Sequence, residues 1–244
     1  MSEQLPENFT PVHHRDVFCF SCHPGVPCFT ECCRELDLAL TPYDVLRLKN
    51  RLQMHSGTFL EKYVLIAWEE GQIFPTCYLT MVDDGRASCV FVEQAGCSVY
   101  PDRPGACRTY PLGRGARRKA DGSIEEQFVL VKEAHCRGFE EAEEQTPERY
   151  IIDQELEAYN RANDAIMPLL QHQRIQQGFR PDRTGLDQFI LALYNLDMFR
   201  QEMSDGRISM KRPLNAMELQ ALAGDDEELL KLGVRWLLQE FFSE

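Results

Sequence analysis

The stretch CHPGVPCFTECC, Cys22 to Cys33, holds four of the chain's ten cysteines in twelve residues and ends on an adjacent pair, Cys32-Cys33. Pro24, Gly25 and Pro27 exclude a regular helix here, because proline removes a backbone donor and glycine loosens the chain. A segment of this kind buries little and needs a staple, and the compartment decides which staple is available. The N-terminal residues MSEQLPENFTPVHHRD are polar and carry no apolar signal segment. No window approaches the about eighteen consecutive apolar residues of a membrane span. The expectation is a cytoplasmic chain with no membrane association. In a reducing compartment, clustered cysteines serve as metal ligands or in redox chemistry rather than as disulfides.

The 244 residues are 43% hydrophobic, enough for a core in one large domain or in one domain and a smaller one. The formal net charge of −13 argues against nucleic-acid binding, since a polyanion is repelled.

Residues 1–18 read as an irregular lead-in. Thr41-Pro42 with Asp44 marks a helix start and Ser56-Gly57 its end. A short helix follows from Thr58 to about Leu65. QIFPTCYLTMV and ASCVFVE read as strands joined through a turn at Asp83-Asp84-Gly85-Arg86, and QFVLVK, Gln127 to Lys132, as another strand. After Cys136 the pattern becomes helical, over Pro147–Gln177, Leu186–Met203 and Glu227–Phe242. No internal repeat is visible. The fold class expected is α+β: a small, loop-rich, metal-stabilised cysteine domain with short strands over residues 1–140, followed by a helical C-terminal region over 141–244. Metal ligation would supply the stability that so few strands cannot.

The cysteines fall into two sequence groups. Cys22, Cys28, Cys32 and Cys33 form the first. Neighbouring side chains point in different directions in helix or strand, so Cys32 and Cys33 more naturally serve two metals, or two irons of one cluster. Cys89, Cys97, Cys107 and Cys136 form the second, in Pro/Gly-rich turns or after strands. Eight candidates allow two four-thiolate sites, or one site with the remainder structural. Cys19 lies three residues before Cys22, which leaves Cys19-x-x-Cys22 open as an alternative start, and Cys77 reads as an isolated small hydrophobe.

Three segments carry a resemblance: CHPGVPCFTECCRELDLALTPYDVLRL, CVFVEQAGCSVYPDRPGACRTYPL and HCRGF. In this order they resemble the YkgJ-type cysteine-cluster family, described as zinc- or iron-chelating, over roughly residues 19–140. The segment YPDRPGACRTYP is the most specific part. The resemblance implies Cys22, Cys28, Cys32, Cys33, Cys89, Cys97, Cys107 and Cys136 as ligands and leaves Cys19 and Cys77 outside. It also implies an iron–sulfur cluster, or alternatively zinc. Relatives are labelled iron–sulfur oxidoreductases, and some are linked to flagellin lysine N-methylation.

Arg103, Arg108, Arg114, Arg117, Arg118 and Lys119 form a basic island against a single acid, Asp102. Three roles compete: offsetting the charge of a thiolate-ligated cluster, gripping an anionic substrate or partner, or lying in a solvated loop. Arg103 and Arg108 belong to the motif and favour a structural or cluster role; Arg114 to Lys119 favour the solvated loop. Tyr100 and Tyr110 flank Cys107 and read mainly as packing. His13, His14, His23 and His135 are weaker ligand candidates than the cysteines. No phosphate loop, nucleophile elbow or dinucleotide fingerprint occurs, and no catalytic residue is assigned. The functional expectation is a metal-cluster protein, foremost iron–sulfur, with a redox or cluster-dependent protein-modification role. The opposing expectation is a zinc-stapled domain that binds a protein partner without catalysis. Lysine methylation ranks behind both, because no methyl-donor site is legible.

Overall fold

A computed structural model of the chain describes residues 6–243. Residues 1–5 of the expected lead-in therefore lie outside the described part. The fold is α+β, with small antiparallel sheets in the first half and helices dominating the C-terminal region. The chain divides into two units interleaved in sequence. One contains the described residues up to Leu38 together with Thr80–Asn160; the other contains Ala39–Leu79 and the described residues from Arg161 onward. No helix among the described residues is long and apolar enough to cross a membrane.

The first unit is built on a three-stranded antiparallel sheet in the order Phe9–Val12, Ile124–Val131, Leu112–Arg118. The lead-in is thus partly a strand. The basic island also departs from the loop reading, because Arg114 and Arg117 lie on a strand. Arg114 pairs with Glu126 at 2.8 Å and Arg117 with Glu125 at 2.5 Å on the neighbouring strand. Arg117 faces Glu125 directly and Arg114 reaches Glu126 diagonally, and these opposite charges across a ladder replace the apolar alternation by which strands are usually recognised. Phe18, Phe20, Leu112, Phe128, Tyr150 and Leu156 form the buried core beneath the sheet, with Tyr110, Cys136 and Phe139 packed against it. Phe20 meets Tyr110, Phe139 and Tyr150 edge-on, the arrangement that ring quadrupoles favour. The remaining strands are two-residue pairs: Phe18–Cys19 with Glu144–Gln145, Met81–Val82 with Ser88–Cys89, and Val92–Glu93 with Gly96–Cys97.

In the second unit, Ala39–Leu40, Thr76–Leu79 and Val64–Ala67 form a three-stranded sheet with Thr76–Leu79 at its centre. The expected hairpin across residues 83–86 is real but short. It joins Met81–Val82 to Ser88–Cys89, while TCYL turns away into this second sheet. The helix Pro42–Arg51 begins with a reciprocal cap: Asp44 N–H donates to Thr41 Oγ1 at 3.2 Å, and Thr41 N–H donates to Asp44 Oδ2 at 2.8 Å. Replacing Thr41 with Ala removes half of this exchange. The expected cost is about 1 kcal/mol, measurable as a lower urea midpoint with unchanged slope.

The long helix expected over Pro147–Gln177 is three: Pro147–Asp153, Leu156–Leu170 and Gln173–Gln176. Glu155 sits between the first two at φ 53°, a left-handed conformation that ends a right-handed helix. Likewise Leu186–Met203 resolves into Arg183–Leu193 and Leu196–Ser204, because Tyr194 and Asn195 both donate to the Ile190 carbonyl. The last helix runs Asp226–Phe242, close to expectation, and is preceded by Ala216–Gly224.

Candidate metal centre

All eight candidate cysteines lie in the first unit; Cys77 lies in the second. Each of the ten cysteines is a free thiol. Short pieces of backbone pairing set where the eight go. Ser21 N–H donates to the Gly138 carbonyl at 3.0 Å, which ties the chain before Cys22 to the chain after Cys136. The approach is too close for a side chain: a Cβ on Gly138 would lie 2.7 Å from the Ser21 carbonyl oxygen and 2.6 Å from the Phe20 ring. Arg137 N–H then points at Cys28 Sγ, 3.1 Å away.

Cys32 and Cys33 occupy a 3₁₀ turn, Glu31–Cys33. A bridge between Arg34 and Ser88 and a hydrogen bond from Glu35 N–H to the Ala87 carbonyl (3.0 Å) hold that turn against Cys89. Cys97 ends the hairpin Val92–Glu93/Gly96–Cys97, where Gly96 adopts φ +120°, open only to glycine at little cost. Cys107 sits in the short helix Gly105–Thr109.

The electrostatic neighbours of each thiol sort the eight differently from their order in sequence. Burial, then the neighbouring thiols of Cys32, Cys28 and Cys136, push the Cys22 thiol up to about 11, with Arg103 working against them. Cys33 is raised by its hydrogen bond to Cys32, by burial, and by the thiols of Cys32, Cys107 and Cys89. Cys89 is raised by burial, with Cys97 adding to it. Cys32 is the exception: the hydrogen bond from Cys33 pulls it down to about 7. The two thiols of the adjacent pair are bonded to each other, and their further neighbours differ: Cys32 is a neighbour of Cys22, together with Cys28 and Cys136, whereas Cys33 has Cys107 and Cys89 beside it.

The surroundings suit thiolates. Backbone N–H groups of Phe91 and Val92 face Cys89 and that of Val99 faces Cys97, in each case opposing the effect of burial. Such donors stabilise metal-bound sulfur and orient it. The Arg103 guanidinium is a neighbour of Cys22, Cys97 and Cys107 and so places positive charge beside both thiol groups. A soft, all-thiolate donor set fits zinc or iron. As the chain stands, no three His, Cys, Asp or Glu side chains among the described residues converge tightly enough to hold a metal ion.

Arg103 and Arg108 brace this region from within. Both are buried, at 7% and 3% exposure. Arg103 donates to the Tyr100 carbonyl (2.8 Å) and to Gln154 Oε1 (2.5 Å) and stacks on the Tyr100 ring at 3.9 Å. Arg108 donates to the Gln154 carbonyl (2.8 Å) and to the Pro101 carbonyl, and pairs with Glu155 at 3.4 Å. Gln154 and Glu155 carry no signal in the sequence, because they are polar residues about fifty positions downstream at the break between two helices. Replacing Arg108 with Met would leave the Gln154 and Pro101 carbonyls without a partner. The expected loss is about 2–4 kcal/mol, from at least two charge-assisted bonds. It should appear as a lower Tm of the metal-free chain, so that ligand loss does not contribute.

The weaker candidates fall elsewhere. Cys19 is half-buried on the strand opposite Glu144. Cys77 is fully buried in the second sheet, where desolvation pushes its thiol up to about 12, as expected of an inert core cysteine. His23 accepts from Gly25 N–H and lies 3.6 Å from Glu141, while His14 packs edge-on against Phe128 and lies 3.6 Å from Glu126. The buried Tyr110 hydroxyl lies against the Cys136 thiol and the Glu133 backbone. Burial and the adjacent Cys136 thiol both raise its pKa. A cleft of about 540 Å³ opens beside Cys89, lined by Thr30, Arg34, Asp84, Ser88 and Glu93 among others.

Residues 21–145 match the model of the CxxCxxCC family, described as a "putative zinc- or iron-chelating domain". The match takes in all eight candidates and more than half of the chain. The chain belongs to this family. Its members' metal-chelating character extends to this protein, although the spacing here is C-x5-C-x3-C-C rather than the pattern in the family's name. Cys19 falls outside the matched residues. No curated protein and no solved structure matches the chain.

Proposed function

We propose that this protein is a cytoplasmic iron–sulfur protein with a redox role toward a protein partner, and that its thiols act as two groups of four. The observation that supports this reading is the difference in neighbours of the bonded pair: Cys22 has Cys32, Cys28 and Cys136 around it, whereas Cys33 has Cys107 and Cys89 beside it, and Cys89 has Cys97. A single tetrahedral metal needs no such pair, whereas two centres held close together do. Backbone N–H groups and Arg103 would offset the negative charge that eight thiolates and a cluster accumulate. When bound, an iron–sulfur cluster supplies one-electron transfer; the chain holds it, shields it and sets its charge environment. The cleft beside Cys89 gives a partner an approach to the second group. The net charge of −13 keeps polyanionic partners out of this reading.

Zinc is the second reading. The buried cluster beneath the first unit's sheet is small, and a small core of this kind gains most from a structural metal. Absorption spectra and iron, zinc and acid-labile sulfide content of protein purified without oxygen separate the two. Brown protein with equal iron and sulfide supports the redox reading. Colourless protein holding zinc alone overturns it and leaves a zinc-stapled interaction domain.

A further inference from the structure

The backbone carries one tyrosine hydroxyl to a candidate ligand. Tyr110 follows the short helix Gly105–Thr109, and its carbonyl accepts from the Tyr150 hydroxyl. Val131 N–H donates to the Pro111 carbonyl at 2.8 Å, so the end of the central strand lies beside the residue after Tyr110. Two residues beyond Val131 a turn begins, closed by Cys136 N–H donating to the Glu133 carbonyl at 3.0 Å. The Tyr110 ring packs on the same core cluster as Cys136 and meets Phe20 edge-on at 5.9 Å. Its buried hydroxyl ends at this turn, against the Cys136 thiol and the Glu133 backbone.

Cys136 differs from Cys89 and Cys97 in what faces it. Those two have backbone N–H groups of their own hairpin region aimed at them. At Cys136 the nearby N–H groups are already used: its own closes the turn, and that of Arg137 points at Cys28 Sγ. A phenol has one proton to donate, and an ionised sulfur accepts it more strongly than a neutral thiol does. We propose that Tyr110 is a positioning residue of the metal centre, its hydroxyl donating to Cys136 Sγ when that sulfur is a metal-bound thiolate. The bond orients the sulfur and offsets part of its charge, the part that backbone donors take at Cys89 and Cys97. This inference rests on the reading of Cys136 as a ligand.

Zinc-loaded full chain titrated with a competing chelator tests it. Tyr110→Phe keeps the ring and removes only the hydroxyl. It should weaken zinc binding about tenfold, as loss of a ligand's hydrogen-bond partner does, with the Tm of the metal-free chain unchanged. The loss should persist in Cys33→Ser, which keeps the centre containing Cys136, and vanish in Cys28→Ser, which does not. Unchanged zinc affinity in Tyr110→Phe overturns the inference. An equal loss in Cys28→Ser, or a lower metal-free Tm, makes Tyr110 general scaffolding and overturns it too. If either cysteine variant loses all its zinc, the two-centre reading fails, and the affinity and metal-free Tm of Tyr110→Phe alone decide the role of the tyrosine. Cys136→Ser retaining all its zinc would overturn the inference together with the reading of Cys136 as a ligand.

Discussion

Cys33→Ser is expected to halve the metal bound per chain while leaving the centre around Cys22, Cys28 and Cys136 loaded. Cys28→Ser should do the reverse and spare the centre around Cys89, Cys97 and Cys107. The contrast follows from the two groups of four proposed above. The Ser21–Gly138 hydrogen bond and Arg137 N–H gather one group, while the Arg34–Ser88 bridge gathers the other. The effect on stability should be large, because a four-thiolate zinc site in a small domain carries on the order of 10 kcal/mol of apparent binding energy. Loss of one centre should therefore lower the Tm of the loaded protein steeply, and a chelator should lower it further. Metal analysis of the two variants side by side is the check. Complete loss in both would mean one shared site, and retention in both would mean that neither residue is a ligand.

The second large effect lies in the other unit. Lys49 is nearly buried, and its ammonium pairs with Asp226 at 2.7 Å and Asp197 at 3.1 Å; Arg200 pairs with both acids from outside. Asp197 also accepts from Ser56 N–H at 2.7 Å. Lys49→Met would leave two largely buried carboxylates with one guanidinium. Breaking such a network from one side costs about 3–5 kcal/mol, because the charge left behind is uncompensated. The pH dependence carries the same signature. Burial alone would raise Asp197, but Ser56 N–H and Lys49 outweigh it and hold the carboxyl at about 2. Asp226 is lowered as well, by Lys49 and Arg200 against the effect of burial. Carboxyls depressed on folding contribute fully above their unfolded value of about 4 and lose that contribution as pH falls through the folded value. Urea midpoints should therefore fall steadily between about pH 4 and pH 2 in the wild-type chain and change much less in Lys49→Met. Equal slopes in the two proteins would refute the assignment.

The parts of this molecule legible in its sequence are those with local causes. Thr41, Pro42 and Asp44 specify a helix start by themselves, and the helix is there with its reciprocal cap. The apolar spacing from Leu229 to Phe241 specifies the last helix in the same way. The cysteine-cluster family was also legible, because YPDRPGACRTYP is a contiguous string. Features set by distant partners were hidden. The strand carrying Arg114 and Arg117 is stabilised by Glu126 and Glu125 across a ladder, and nothing in GRGARR alone announces that. Which thiols come together depends on the returning loops, Arg137 beside Cys28 and Ser88–Cys89 beside Cys33. The passage of Ala39–Leu79 into the second unit is hidden likewise, because its sheet is completed only when Ala39–Leu40, Val64–Ala67 and Thr76–Leu79 meet. The sequence also left Arg103 and Arg108 between charge compensation and scaffolding. Their hydrogen bonds make both scaffolding, and the thiols around Arg103 give it a place beside the charge as well.

We propose that eight of the ten thiols are metal ligands and that Cys19 and Cys77 are not. Thiol counting on oxygen-free protein, native and denatured, with metal content on the same sample, tests it most directly. Denatured, metal-free chains should show all ten thiols, while native loaded chains should show at most the two of Cys19 and Cys77. Native protein that carries no metal, with the cysteines of CHPGVPCFTECC open to the reagent, would contradict the account.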